Sequence, residues 1–174
     1  MKTIITKILI SISLFLVANV LNAQELETVK SVDLSKYMGK WYEIASCSQN
    51  LQANYYGTTA EYLMDNHDFV TVINRYKEGS LQGKEKTVKG KANVVEGTNN
   101  SKLKMNLLFP SARNYWIIDL ANDYSYAVVS EPKRKNLWIL SRTPKLNQET
   151  YSRILSRIKS KGFDLDKLKM TTQE

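Results

Sequence analysis

The sequence predicts an all-β fold: an eight-stranded antiparallel up-and-down β-barrel with a C-terminal α-helix packed on its outside. Between residues 39 and 142, segments of alternating apolar and polar side chains follow one another and are separated by short polar turns, as is typical of antiparallel strands. No helical pattern lies between them, so neighbours in sequence can pair as neighbours in a sheet. Such a sheet has two unpaired edges unless it closes, and eight strands close around side chains and one small ligand.

The first 23 residues have the composition of a secretory signal peptide, and the barrel domain is therefore predicted over residues 24–174. Lys2 and Lys7 provide a positive start, residues 8–21 are mostly apolar, and Ala23 is a small residue at the cleavage position. A membrane anchor is the alternative, because the apolar run approaches the roughly 20 residues that a span needs. We expect export to the periplasm or out of the cell without a lipid anchor, because no cysteine directly follows the apolar run.

The exported chain is expected to carry a modest positive charge. The formal net charge of +8 falls to +6 when Lys2 and Lys7 leave with the signal peptide. The basic residues are dispersed and no nucleic-acid-binding motif accompanies them, which argues against nucleic acid as a partner. A basic surface of this kind fits an anionic ligand or a peripheral membrane contact. Cys47 is the only cysteine, so no internal disulfide is expected, and no cluster of ligating residues predicts a metal site.

A short helical turn capped by Asp33 precedes the first predicted strand. Gly39 ends this turn, and Trp41, two residues later, is interpreted as a core anchor of the first strand. Seven further strands are predicted from their period-2 patterns and the turn residues between them. Their predicted ranges are 55–64, 69–76, 84–95, 102–109, 115–120, 124–130 and 136–142.

The last part of the chain changes to a helical period. Apolar residues at i, i+3, i+4 and i+7 predict an amphipathic helix at about 148–161 that packs its apolar stripe on the barrel wall; they are Tyr151, Ile154, Leu155 and Ile158. Asn147 is the expected start and Gly162 the expected stop, with Phe163 folding back onto the helix. Residues 168–172 are predicted to add a short terminal strand.

Three motifs stand in order along the chain at the spacing of a barrel. Gly39 and Trp41 open the first strand, Asp123 and Tyr124 occupy the sixth turn, and Arg142 ends the eighth strand. On these motifs nearly the whole exported chain resembles the lipocalins, above all the bacterial lipocalins of the outer-membrane lipoprotein type and the apolipoprotein D-like branch. Three segments carry this resemblance: 41–45, 115–118 and 137–144.

The resemblance implies that the motif residues form the closed end of a cup. Arg142 is expected to cross this end and stack on Trp41, and a guanidinium over an indole contributes about 0.5–2 kcal/mol. This role is structural, and it places the ligand mouth at the opposite rim. The chain departs from its relatives in two respects, because it lacks the lipoprotein signal of close bacterial relatives and the disulfides of animal ones.

Strand parity predicts a mostly apolar cavity lining. The second and third strands are expected to point inward at Thr58, Ala60, Tyr62, Met64, Val70, Val72, Asn74 and Tyr76, and the resemblance supports this phase for Tyr62 and Asn74. The small residues Gly90 and Ala92 leave space, and the remaining wall is predicted from Met105, Leu107, Tyr115, Val129 and Trp138. Lys86 or Arg113 near the mouth could pair with an acidic head group.

The predicted function is binding, with transport or storage of a fatty acid or lysophospholipid, without a cofactor, by a monomer or weak homodimer. One alternative is a lipid-directed enzyme on the same fold, which would depend on Cys47 or on His67, the only histidine. Another is a haem or tetrapyrrole carrier, for which axial ligation would need Tyr62, Tyr76 or Tyr126.

Overall fold

The computed structural model describes residues 25–47, 54–65, 69–106 and 112–173. The predicted signal peptide lies outside these residues. In the described part, eight antiparallel strands form a closed up-and-down barrel, and a C-terminal helix and a short extra strand follow. The strands are β1 (Gly39–Cys47), β2 (Tyr55–Met64), β3 (Phe69–Glu78), β4 (Glu85–Val94), β5 (Lys102–Asn106), β6 (Arg113–Leu120), β7 (Tyr126–Ser130) and β8 (Leu137–Ser141).

The first strand closes the barrel. Each strand from β2 to β8 pairs with its neighbour in sequence, and β1 pairs with both β8 and β2. The β1–β8 pairing starts at Tyr42 and continues to Cys47, whereas the β1–β2 pairing spans only Gly39 to Tyr42. The predicted fold class is therefore confirmed.

Two α-helices flank the barrel in the part of the chain that the structure describes. Helix α1 (Leu34–Tyr37) precedes β1, and the Asp33 carboxylate caps it by accepting from the backbone N–H of Ser35 at 3.0 Å. Helix α2 (Gln148–Ser160) is capped by Asn147 and ends before Gly162, whose φ of +83° suits glycine. The N–H of Phe163 donates to the carbonyl of Ile158 at 3.2 Å, and its ring is buried as expected. Strand β9 (Lys169–Met170) then pairs with β1.

Some predicted strand ends are wrong. The seventh strand was expected to start at Tyr124, but β7 starts at Tyr126 because Tyr124 lies in the preceding turn with φ +60°. Strands β3 and β6 each extend two residues beyond the predicted end or start. The last three residues predicted for the fifth strand, 107–109, lie outside the described residues.

Apolar side chains fill two separate layers. The interior of the barrel is packed by alternate residues of all eight strands together with α1, and its buried members include Tyr37, Trp41, Tyr62, Val72, Ala92, Met105, Tyr115, Ile117 and Val129. The outer layer packs α2 on the wall, with Ile154 and Ile158 fully buried against residues such as Ile118, Val128 and Ile139. No helix within the described part of the chain has the length and apolarity needed to cross a membrane.

Candidate ligand-binding site

Arg142 and Trp41 lie together at one end of the barrel. The Arg142 guanidinium carbon lies 3.7 Å from the centre of the Trp41 ring, which is the contact that the resemblance implies. The indole is fully buried, and its N–H donates to the carbonyl of Tyr37 at 2.8 Å. The arginine therefore covers the face of an aromatic ring whose polar group is already satisfied.

The same guanidinium binds the backbone around α1. It donates to the carbonyls of Lys36, Tyr37 and Lys40 at 2.6, 3.1 and 2.9 Å. Gly39, between α1 and Trp41, has φ +92°, a conformation that side-chain-bearing residues rarely adopt. These contacts hold α1 across the closed end, so the cup has a fixed bottom.

The turn between β6 and β7 joins this assembly. The Asp123 carboxylate accepts from the N–H of Ser125 at 3.0 Å and stabilises the turn. The Tyr124 hydroxyl accepts from the N–H of Asp33 at 2.9 Å, at the start of α1. The turn residues thus hold the other end of the helix that Arg142 binds.

Three tyrosine hydroxyls form the floor of the interior above the closed end. The oxygen of Tyr115 lies 2.9 Å from that of Tyr37 and 2.7 Å from that of Tyr62. All three side chains are at least nine-tenths buried. Burial raises the pKa of each phenol well above its ordinary value, so the three groups are neutral at any physiological pH. Sequence parity found Tyr62 and Tyr115, but Tyr37 was missed because the short helix that carries it has no usable period.

The wall above the floor is mostly apolar. Val72, Ala92, Met105 and Val129 are buried in the interior cluster, and Trp138 packs against it half-buried. On β3, Asn74 faces Ala60 on one side and Val88 on the other, which places an amide on the interior wall. Leu107 lies outside the described residues.

Strand β2 departs from simple alternation at a bulge. Its register with β3 shifts between Tyr56 and Thr59, and Gly57 in between has φ +59°. The Thr58 hydroxyl beside it is buried and has no hydrogen-bond partner among the described residues. At the other end of β2, Met64 was expected to line the cavity, but it is 41% exposed because the strand has reached the end of the barrel.

Aromatic and charged groups lie at the rim opposite α1. The rings of Tyr55 and Tyr76 stack with centroids 3.9 Å apart. Lys86 is the register partner of Tyr76 and lies 3.5 Å from the Glu78 carboxylate, with both charged groups nearly half-exposed. Arg113 also belongs to the interior-facing series at the rim, because its register partner is Met105. Parity alone missed Tyr55, because the bulge moves this odd-numbered residue to the face of Tyr76.

The C-terminal segment completes the wall where β1 and β2 separate. The side-chain amide of Gln173 donates to the carbonyls of Glu43 on β1 and Thr58 on β2, at 2.7 and 2.9 Å. The Thr171 hydroxyl donates to the buried Glu43 carboxylate at 2.6 Å, and the Thr172 carbonyl accepts from the N–H of Gly57 at 2.8 Å. These residues connect two strands whose direct pairing has already ended.

Two of the residues that the alternative functions would need, Cys47 and Tyr126, pack outside the barrel interior. Cys47 packs with the outer layer, its thiol donates to the carbonyl of Lys135 at 3.8 Å, and burial raises its pKa. Tyr126 packs with the same outer layer and accepts from Arg157 of α2 at 2.5 Å. His67 lies outside the described residues. Within the described ranges, no group of three or more metal-ligating side chains comes together.

Comparison with known families shows to which family this barrel belongs. The family profile described as a Lipocalin-like domain matches residues 32–173, which include every element of the barrel and α2. The chain belongs to the lipocalin family. Lipocalins are in general binding and transport proteins for small hydrophobic ligands.

Relatives and a solved structure agree with this membership. The outer membrane lipoprotein Blc of Vibrio cholerae is 33% identical over 153 residues, which cover 87% of this chain and 88% of that protein. Apolipoprotein D of Mus musculus is 34% identical over 160 residues, which cover 83% and 78%. The structure of insecticyanin from Manduca sexta superposes with a TM-score of 0.67 at 23% identity, over 86% of this lipocalin and 85% of that chain, and supports the fold alone.

Proposed function

We propose that this lipocalin binds a fatty acid or a lysophospholipid in its barrel and transports or stores it. The observation that carries the proposal is the polarity of the interior along its depth. The bottom is closed by Arg142 and Trp41, the wall is apolar around Ala92, and a cation, Lys86, belongs to the interior-facing series at the rim. An acyl chain inside the wall with its acidic group at the rim matches this order.

The expected affinity follows from the buried chain. Each methylene removed from water contributes about 0.8 kcal/mol, so a dozen methylenes give roughly 10 kcal/mol before the costs of association. After those costs, a dissociation constant in the micromolar range, near −8 kcal/mol, is expected.

The acidic group is proposed to bind at the rim. Lys86 faces the interior beside Tyr76, and Arg113 belongs to the interior-facing series two residues before Tyr115. A carboxylate or phosphate arriving there would meet Lys86 in competition with Glu78, which lies 3.5 Å from the ammonium group. The pair is nearly half-exposed, so exchanging one carboxylate for another requires little desolvation.

We propose binding without catalysis. The thiol of Cys47 faces the outer layer and its pKa is raised, which disfavours the nucleophilic thiolate. Tyr62 is bonded to Tyr115 and its pKa is raised by burial, so it is a poor source of the tyrosinate that haem ligation would need. These two features argue against catalysis through Cys47 and against haem ligation by Tyr62.

We further propose a peripheral contact with anionic membranes through the outer face of β2 to β5. Lys89, Lys91 and Lys104 are exposed there, and Leu63 and Phe69 on the same face are 42% and 37% exposed. Basic and apolar side chains together favour an anionic lipid surface. Sedimentation with phosphatidylglycerol vesicles, but not with phosphatidylcholine vesicles, is expected, and charge reversal at the three lysines should abolish it.

The proposed place of action is the periplasm or the cell exterior, after removal of residues 1–23 and without a lipid anchor. One barrel supplies the floor, wall and rim of the site, so a monomer or weak homodimer suffices. Intact mass of the exported protein tests the cleavage, and light scattering tests the oligomeric state.

Displacement of a fluorescent fatty acid tests the proposed function. Hexadecanoate is expected to displace the probe with a micromolar constant, and no saturable displacement at tens of micromolar would contradict the proposal. Lys86→Met should weaken hexadecanoate several-fold and leave the neutral 1-hexadecanol unchanged. Lys89→Met is the matched control, because Lys89 is exposed on the outer face of the same strand.

A further inference from the structure

Three hydroxyl donors at the floor of the barrel share only two hydrogen bonds. Tyr37, Tyr115 and Tyr62 form a chain of three hydroxyls joined by two hydrogen bonds of 2.9 and 2.7 Å. Three neutral hydroxyls carry three protons, and two bonds use two of them. Whichever way the bonds run, one O–H proton is left without an acceptor among the described residues.

The identity of the surplus donor depends on the direction of the bonds. A chain running from Tyr37 to Tyr62 leaves the proton on Tyr62, and the opposite chain leaves it on Tyr37. If Tyr115 accepts from both neighbours, the surplus proton is its own. In each case the donor is a buried phenol at the interior floor, and leaving it without a partner is unfavourable.

The floor therefore offers one neutral hydrogen-bond donor to whatever reaches it. Tyr62, Tyr115 and Met105 belong to the interior cluster and retain 3%, 8% and 7% exposure. Their surroundings are apolar, with Val72 directly opposite Tyr62 on β3. An oxygen atom that accepts a hydrogen bond would satisfy the surplus proton, whereas a terminal methyl group would leave it unpaired.

We propose that the floor recognises an oxygen function, such as a hydroxyl or carbonyl, at the far end of an acyl chain whose acidic group lies at the rim. This inference rests on the proposed function and names a ligand class within it: fatty acids oxygenated near the distal end. It assigns the polar recognition of the ligand to Tyr37, Tyr62 and Tyr115 as a unit.

The depth of the barrel suits such a ligand. Lys86 pairs with Tyr76, and Tyr62 pairs with Val72, four residues earlier on β3. At about 3.3 Å per residue, the two positions are roughly 13 Å apart along the tilted strand, a distance that an extended chain of about ten carbon atoms spans. Chains of medium length thus reach from the rim to the floor.

The test compares two ligands with the same number of heavy atoms. 12-Hydroxydodecanoate and tridecanoate differ only in a terminal hydroxyl in place of a methyl group, and 16-hydroxyhexadecanoate and heptadecanoate form a longer pair. The ratio of their dissociation constants is measured by displacement in the wild type and in the triple variant Tyr37→Phe, Tyr62→Phe, Tyr115→Phe. The triple variant is required because a chain with any one or two hydroxyls still has a surplus proton.

In the triple variant, the affinity for the hydroxy acid is expected to fall about tenfold relative to the affinity for the matched unsubstituted fatty acid. Tyr151→Phe, on the outside of the barrel, should leave the ratio of the two dissociation constants unchanged. A ratio that changes by less than twofold overturns the inference while tridecanoate binding still upholds the proposed function. Failure of both ligands to bind the wild type overturns both. If the triple variant does not fold, ultraviolet difference spectra of the wild type provide the test. The hydroxy acid should perturb the tyrosine absorption band and tridecanoate should not. Identical difference spectra for the two ligands would overturn the inference.

Discussion

The hydroxyl oxygens of Tyr62 and Tyr115 lie 2.7 Å apart inside the barrel, although the two residues are 53 positions apart in sequence. Tyr62 comes from β2 and Tyr115 from β6, on different sides of the interior. Their rings, with centroids 6.0 Å apart, connect these sides above the closed end. The floor is thus a polar bridge within an apolar core, and its hydroxyls are coupled.

The central hydroxyl should matter more for stability than a terminal one. Tyr115→Phe removes both hydrogen bonds and leaves two buried hydroxyls without partners, which we expect to lower the free energy of unfolding by about 3 kcal/mol. Tyr62→Phe removes one bond and leaves Tyr115 paired with Tyr37, so about 1 kcal/mol is expected. Urea unfolding measures both. Equal losses in the two variants would show that the three hydroxyls do not act as a chain.

Alkaline pH should destabilise the protein through the same phenols. Their pKa values are raised by burial in the folded state, so below about pH 10 the phenols are protonated in both states and contribute no pH dependence. Above that pH the unfolded chain loses these protons first, and the free energy of unfolding falls by up to about 1.4 kcal/mol per pH unit for each phenol. Urea unfolding between pH 9 and pH 11 should show a steeper fall for the wild type than for the triple Phe variant. Parallel curves would contradict burial of the phenols.

Removal of the Arg142 guanidinium at the closed end should destabilise the fold without removing a proposed contact to the ligand. Arg142→Ala loses the stack on Trp41 and the bonds to four backbone carbonyls, including that of Tyr124, for an expected cost of about 2–4 kcal/mol in thermal or urea unfolding. Arg142→Lys keeps the charge but not the planar group and should recover less than half of the loss. Arg153→Ala, which breaks an exposed pair with Glu149, is the control and should cost below about 0.5 kcal/mol. An unchanged melting temperature for Arg142→Ala would refute the structural role of the stack.

The seam between β1 and β2 should open when the C-terminal amide is lost. Gln173 donates to a carbonyl on each strand, so Gln173→Ala is expected to cost about 1 kcal/mol and to speed hydrogen exchange of the Gly57 amide. Gln173→Glu should be worse, because its carboxylate oxygens would face two carbonyl oxygens and the nearby Glu43. Protection of Gly57 that is the same in all three proteins would show that the segment does not hold the seam.

Local sequence patterns predicted the elements that are determined by residues close to one another in the sequence. Strand β2 has the predicted bounds because alternation over ten residues is bordered by turn residues. Helix α2 starts after Asn147 and ends before Gly162 as predicted, because capping chemistry is local. The barrel was predicted from eight such strands, because an eight-stranded antiparallel sheet has unpaired edges in most arrangements other than a closed barrel.

The parts that sequence did not predict depend on contacts between distant segments. The inner position of Tyr55 results from a bulge at Gly57, and no alternation pattern shows where a bulge occurs. Tyr37 joins the floor because distant residues, Tyr124 and Arg142, hold α1 across the closed end. The closing role of Gln173 requires the chain to return to β1 from the far side of α2, and a short polar tail carries no periodic signal for it.

Native mass spectrometry with hexadecanoate tests the central claim, that an acyl chain occupies the barrel interior. The wild type is expected to hold one fatty acid per chain. Ala92→Trp places a large ring in the interior beside Met105 and should remove the adduct, whereas Lys91→Trp, one residue away on the outer face, should keep it. Folding of both variants is checked by circular dichroism. A wild type without an adduct, or an adduct that persists in folded Ala92→Trp, would contradict the account.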